Sequence, residues 1–129
     1  MNINDFAYIV ETNKSFDDAV VSVLKAVEQK GWALFQIYDI KERLAAKGFN
    51  FSQLKIIEIC SAKYANKLLS KNKFVSMCMP CKINVIEDNN KVYIAGMKPI
   101  IMPDIFQGIT KEEAQEVENE IIAIIDNAK

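Results

Sequence analysis

Apolar residues recur along the chain with two different periods, and the switches between them mark out the elements. Phe16, Ala19, Val20, Val23, Leu24 and Val27 fall at i, i+3, i+4, i+7, i+8 and i+11, one stripe of helical period. Ser15 is an N-cap type just before it, Asp17 and Asp18 suit the positive first turn, and Gly31 supplies a left-handed stop. A helix is predicted there. Upstream, Phe6 to Glu11 is a short β-rich run. Downstream, Trp32 to Tyr38 is aromatic and aliphatic with little charge and predicts a buried strand. Asp39 can cap a short helix to Lys47, with Gly48 as its stop, and Leu54 to Cys60 is the next strand. Ser61 then opens a helix whose narrow apolar face is Ala62, Ala65, Leu68 and Leu69, running out in Ser70 to Lys73.

The second half reads differently. Lys82 to Glu87 and Lys91 to Met97 nearly alternate around Asp88-Asn89-Asn90, residues that tolerate the left-handed conformations of a hairpin turn. Pro99-Ile100-Ile101-Met102-Pro103 is apolar, but its prolines suit neither a helix interior nor a central strand, so it is expected to pack as irregular chain. Thr110 and Glu113 form a capping box, and Ala114, Val117, Ile121, Ile124 and Ile125 give the last helix its stripe. The late hairpin and the few, short helices favour an α+β fold of two layers, a mainly antiparallel sheet with helices packed on one face. With no internal repeat, low-complexity tract or linker, residues 1–129 are expected to form a single domain.

Composition narrows the function. Sixteen Lys and Arg against seventeen Asp and Glu leave a net charge of −1, too little for a phosphate-tracking surface, so nucleic acid is not expected as a partner. The absence of His removes Ser-His-Asp and Cys-His nucleophilic sites and His-ligated zinc. Glycines stand singly at 31, 48, 96 and 108, and none completes a phosphate-binding loop. Acidic Met1 to Asp5 is unlike a signal peptide, and no apolar run approaches the roughly 20 residues of a spanning helix, so a cytoplasmic protein without a membrane partner is expected. Three cysteines in a chain able to build a core read as reduced thiols.

Those thiols are the chemistry-bearing feature. Met77-Cys78-Met79-Pro80-Cys81, with Cys60, Met97 and Met102, is a cluster of soft sulfur donors of the kind that selects Cu(I). Met77 is adjacent to Cys78, one residue off the spacing of a copper-carrier loop, and core filling accounts for the same residues. Cys78, Cys81 and Met77 are therefore weak metal candidates, and no cofactor is assigned. Cys78 to Cys81 also has the letters of a C-x-x-C dithiol. In extended chain the two Cα atoms lie about 10 Å apart, beyond disulfide reach, unless Met79-Pro80 turns. Cys60 precedes a helix start that could help its thiolate, but a buried strand-end thiol is the preferred reading. The acids Glu112, Glu113, Glu116, Glu118 and Glu120 read as helix-dipole partners and a solvated face.

Several of these positions carry a family resemblance: Thr12 to Phe16 with Ala19, Gly31, Asp39, Lys47-Gly48-Phe49, Phe51, Lys55-Ile56 leading to Cys60, Pro80-Cys81 entering a strand, and Glu87-Asp88. In these the chain resembles the bacterial and archaeal domain-of-unknown-function family 302, from about Thr12 to the last helix. The family's Ala-Cys-Asn-Pro stands here as Ile59-Cys60-Ser61-Ala62, its Leu-Pro-Cys as Met79-Pro80-Cys81, and its later Asp-Pro as Lys98-Pro99. The resemblance implies a small α+β domain that associates as a homodimer, without an established activity. It singles out Cys60 and Cys81 over Cys78.

The resulting expectation is a binding domain rather than an enzyme, with no catalytic residue, taking a small molecule or a protein in a pocket near Cys60 and Cys81. The alternatives are a thiol site for soft metal, sulfur carriage or redox sensing, and a purely structural role. Cys60 and Cys81, each at a strand end, are expected to approach one another. The apolar stretch Ile100, Ile101, Met102, Ile105 and Phe106 is expected either to bury itself in a dimer or to close over the domain's own core.

Overall fold

A computed structural model describes residues 2–129. In chain order the elements are α1 (Ile3–Phe6), β1 (Ala7–Thr12), α2 (Phe16–Gln29), β2 (Ala33–Asp39), α3 (Ile40–Ala45), β3 (Leu54–Cys60) and α4 (Ala62–Lys71). A 3₁₀ turn (Lys73–Cys78), β4 (Cys81–Asp88), β5 (Lys91–Met97), a second 3₁₀ turn (Pro99–Ile101), α5 (Met102–Ile105) and α6 (Lys111–Ala128) follow. The strands form one sheet of order β1-β5-β4-β3-β2, every neighbouring pair antiparallel. This is the α+β architecture the patterning predicts.

The local signals act as read. The Ser15 hydroxyl accepts the Asp18 N–H at 3.2 Å, and the Thr110–Glu113 box opens α6. In the β4–β5 hairpin, Asn89 and Asn90 take φ of 51° and 64°, the left-handed pair that matches a tight turn to strand twist. One element was unforeseen: the Asn2 side chain caps the short α1, so that β1 begins at Ala7 rather than Phe6.

Alternation along the strands sorts the sheet into two faces. Ile57, Ile59, Ile83, Val85 and Ile94 point into the core, where α2 and α6 pack on the sheet. Gly96 lets α6 come close: a Cβ there would lie 3.1 Å from Ile125 Cδ1 and 3.3 Å from Ile121 Cγ2. On the opposite face Ile56, Asn84, Ile86, Tyr93 and Ala95 are half-exposed. Helix α4 is tied to α6 by Lys71 Nζ, 2.6 Å from Glu113 Oε2. That bond, with the capping N–H of Thr110, holds the buried Glu113 carboxyl down at about 2.

Several expectations are corrected, among them the buried strand from Trp32 to Tyr38: β2 is an edge strand exposed from Ala33 to Gln36. The stretch from Pro99 to Ile105 is helical rather than irregular, because Pro99 and Pro103 fall in first turns, where a missing N–H breaks no bond. The same segment closes over the domain's own core: Met102 is 1% and Phe106 8% exposed, leaving only Ile105 well in the open. It therefore does not supply the dimer surface considered for it. The acidic run on α6 is likewise not a uniform solvated face. Glu113 and Glu118 are buried, and Glu118 Oε1 accepts the Ile100 N–H at 3.1 Å, anchoring the proline-bearing turn.

Candidate functional site

The β3–β4 register gathers the two singled-out thiols. Cys81, the first residue of β4, stands opposite Ile59, and Cys60, the last of β3, follows directly. Both line one small cavity of about 20 Å³, enclosed with Ile59, Tyr64, Leu68 and Met79. That is room for about one water-sized group. Above it, a groove of about 300 Å³ runs between β2 and α4, lined by Phe35, Cys60, Ala65, Leu69, Met79 and Pro80. Phe35 reaches this groove because β2 carries an irregularity between Leu34 and Gln36. A residue in such a bulge leaves the regular alternation, and Phe35 is 56% exposed on an edge strand.

Cys78 lies elsewhere. It ends the first 3₁₀ turn and, with Met77, Cys81, Lys82 and Met97, borders a separate crevice of about 120 Å³. Met77 is 80% exposed, and the chain bends at Pro80, so that Cys81 borders both this crevice and the inner cavity while Cys78 borders only the crevice. Among the described residues no three or more His, Cys, Asp or Glu side chains are grouped to hold a metal ion. All three cysteines are free thiols.

Burial decides the chemistry of the paired thiols. It pushes Cys60 above the ordinary thiol range, outweighing any help from the helix start, where Ser61 makes no capping bond. Cys81 is pushed up to about 12, by burial first and then by the neighbouring Cys60 and Cys78 sulfurs. Both are protonated near neutral pH, and a protonated thiol is a poor nucleophile.

A polar network beside the cavity escaped the sequence reading. Trp32 Nε1–H donates to Glu120 Oε1 at 2.8 Å, and the Tyr64 hydroxyl donates to Glu120 Oε2. Trp32 and Tyr64 pack with ring centroids 6.2 Å apart, and Lys63 Nζ lies 4.7 Å above the Tyr64 ring. Burial raises the Glu120 carboxyl, but the Trp32 and Tyr64 bonds, with Lys30 and Lys63 nearby, bring it below the usual range. Its bond to Glu120 sends the Tyr64 hydroxyl up to about 12. The available signal was Trp32 itself, since a buried indole N–H needs an acceptor.

Two larger depressions, one at the α2 and α6 ends near Gln29 and Asn127 and one around Asn13 and Lys14, are open and contain no thiol. Among the described residues no helix is long and apolar enough to cross a membrane.

No curated protein matches the chain. The crystal structure of an uncharacterized conserved protein DUF302 from Bacillus stearothermophilus is similar, with a TM-score of 0.88 and 25% identity over 96% of this chain and 98% of that one. The family model described as Domain of unknown function DUF302 matches residues 8–128, so the chain belongs to the DUF302 family.

Proposed function

We propose that the chain acts as one non-catalytic binding domain whose ligand is a small apolar molecule seated in the groove beside Cys60. The observation that carries this reading is the lining. Phe35, Cys60, Ala65, Leu69, Met79 and Pro80 present no charge, and about 300 Å³ is at the lower bound of small-molecule sites. The protonated Cys60 thiol in its lining fits a wall better than a nucleophile. Three free thiols favour a reducing compartment such as the cytoplasm. Ala65→Trp fills the groove from α4. By calorimetry with indole as probe, wild type is expected to bind and the variant to lose at least about tenfold in affinity. Equal binding by the two, or none by wild type, contradicts the reading.

A second observation favours association of two copies through the open face of the sheet. Asn84 Oδ1 is buried there without a hydrogen-bond partner, and a buried unpaired carbonyl is costly. Asn84 sits on β4, the central strand, between Ile56 and Ala95. A side-chain amide is both donor and acceptor, so turning the Asn84 amide outward beside a twofold axis lets two copies pair amide to amide. The charges on this face are also mixed, with Glu58 opposite Lys82 and Glu11 3.7 Å from Lys91. Wild type is expected to sediment at twice 14.6 kDa and Ile86→Lys as a folded monomer. A wild-type monomer at micromolar concentration overturns this.

A further inference from the structure

The inner cavity differs from the groove above it. Four of its lining residues carry sulfur, Cys60, Met79, Cys81 and Met102, and Ile59, Ala65, Leu68 and Val117 add only hydrocarbon. The polar tips of Trp32 and Tyr64, which also border it, are engaged by Glu120. Ser61 adds one hydroxyl. About 20 Å³ admits a single ion or water and no organic molecule.

Hard cations need several oxygen ligands, which this wall lacks. Zinc wants four donors in a closed tetrahedral set, and the chain has no His and no grouping of three or more classical ligands among the described residues. A soft monovalent ion is the class that thiolates and thioethers select. We propose that Cys60, Met79 and Cys81 form a site for one Cu(I) ion. This deepens the reading of the Cys60 region as a binding site and rests on it.

Binding leaves the oxidation state unchanged. The Sγ–H bonds of Cys60 and Cys81 break, two protons pass to solvent, two Cu–S bonds form, and the Met79 thioether contributes a lone pair as third donor. The filled site carries one net negative charge, and Lys63, stacked on the Tyr64 wall, is the cation beside it. Because each Cu–S bond displaces a thiol proton, copper affinity rises with pH.

The test is anaerobic competition of the reduced protein against the Cu(I) chelator bathocuproine disulfonate, read together with near-ultraviolet thiolate-to-copper absorption. Wild type is expected to retain one ion per chain. Cys60→Ser and Cys81→Ser are each expected to weaken retention by about 100-fold, Met79→Leu by about tenfold, and Cys78→Ser by less than about threefold. Urea midpoints check that each variant folds, with alanine in place of any serine that does not. Absence of retained ion, or a loss in Cys78→Ser equal to that in Cys81→Ser, overturns the assignment. If copper fails while indole still distinguishes wild type from Ala65→Trp, only the metal assignment falls. If both fail, the binding-site reading falls with it.

Discussion

Phe106→Asp is expected to abolish cooperative folding, whereas Ile105→Asp, one residue away, leaves it intact. The Phe106 ring is 8% exposed and belongs to the core that also holds Met102 and Ile109. Deleting a buried ring costs roughly 3–5 kcal/mol, and an unpaired buried carboxylate adds to that. The total reaches the whole stability of a small domain, roughly 5–15 kcal/mol. Ile105 is 61% exposed, and a surface change of that kind costs within about 0.5 kcal/mol. Urea unfolding followed by circular dichroism separates the two. A folded Phe106→Asp protein would place the residue outside the core and return this segment to consideration as an interface.

Ile83→Ala is expected to lower stability by about 3 kcal/mol without changing the urea m-value. Ile83 is fully buried on the central strand and faces Ile57 on one side and Gly96 on the other. Gly96 has no side chain to move into the vacated space. Ile121 and Ile125 of α6 already lie against its backbone, so the site collapses only in part. A cost below about 1 kcal/mol in equilibrium urea unfolding would mean that α6 follows the deletion inward and that the sheet–helix contact is soft.

Legibility in the sequence followed the distance over which each signal acts. The caps of α2 and α6 and the Asn89-Asn90 turn depend on residues three or fewer apart, and all three stand as read. The strand pattern gave the sheet, and the placing of Cys60 and Cys81 at strand ends followed from it. The helical Pro99–Ile105 segment was hidden because proline's effect depends on whether it falls in a first turn, which the composition of the stretch does not state. Phe35 entered the groove through an irregularity in β2 that simple alternation does not encode. The Trp32–Glu120–Tyr64 network joins residues 88 and 56 positions apart, and Glu120 resembles its solvated neighbours until the fold is known. For Cys60 the buried strand-end reading stands over the activated thiolate, since a helix start favours a thiolate only where water or a cation also supports it.

The groove beside Cys60 is tested most directly by intermolecular nuclear Overhauser effects between indole and the methyl-labelled protein. Met79 and Leu69 both line the groove, and Ile9 on the far side of the sheet is a built-in control. Contacts from the indole ring to the Met79 and Leu69 methyls, with none to Ile9, are expected. Contacts confined to Ile9 and its neighbours, or no contact at all at millimolar indole, would contradict a ligand site at Cys60.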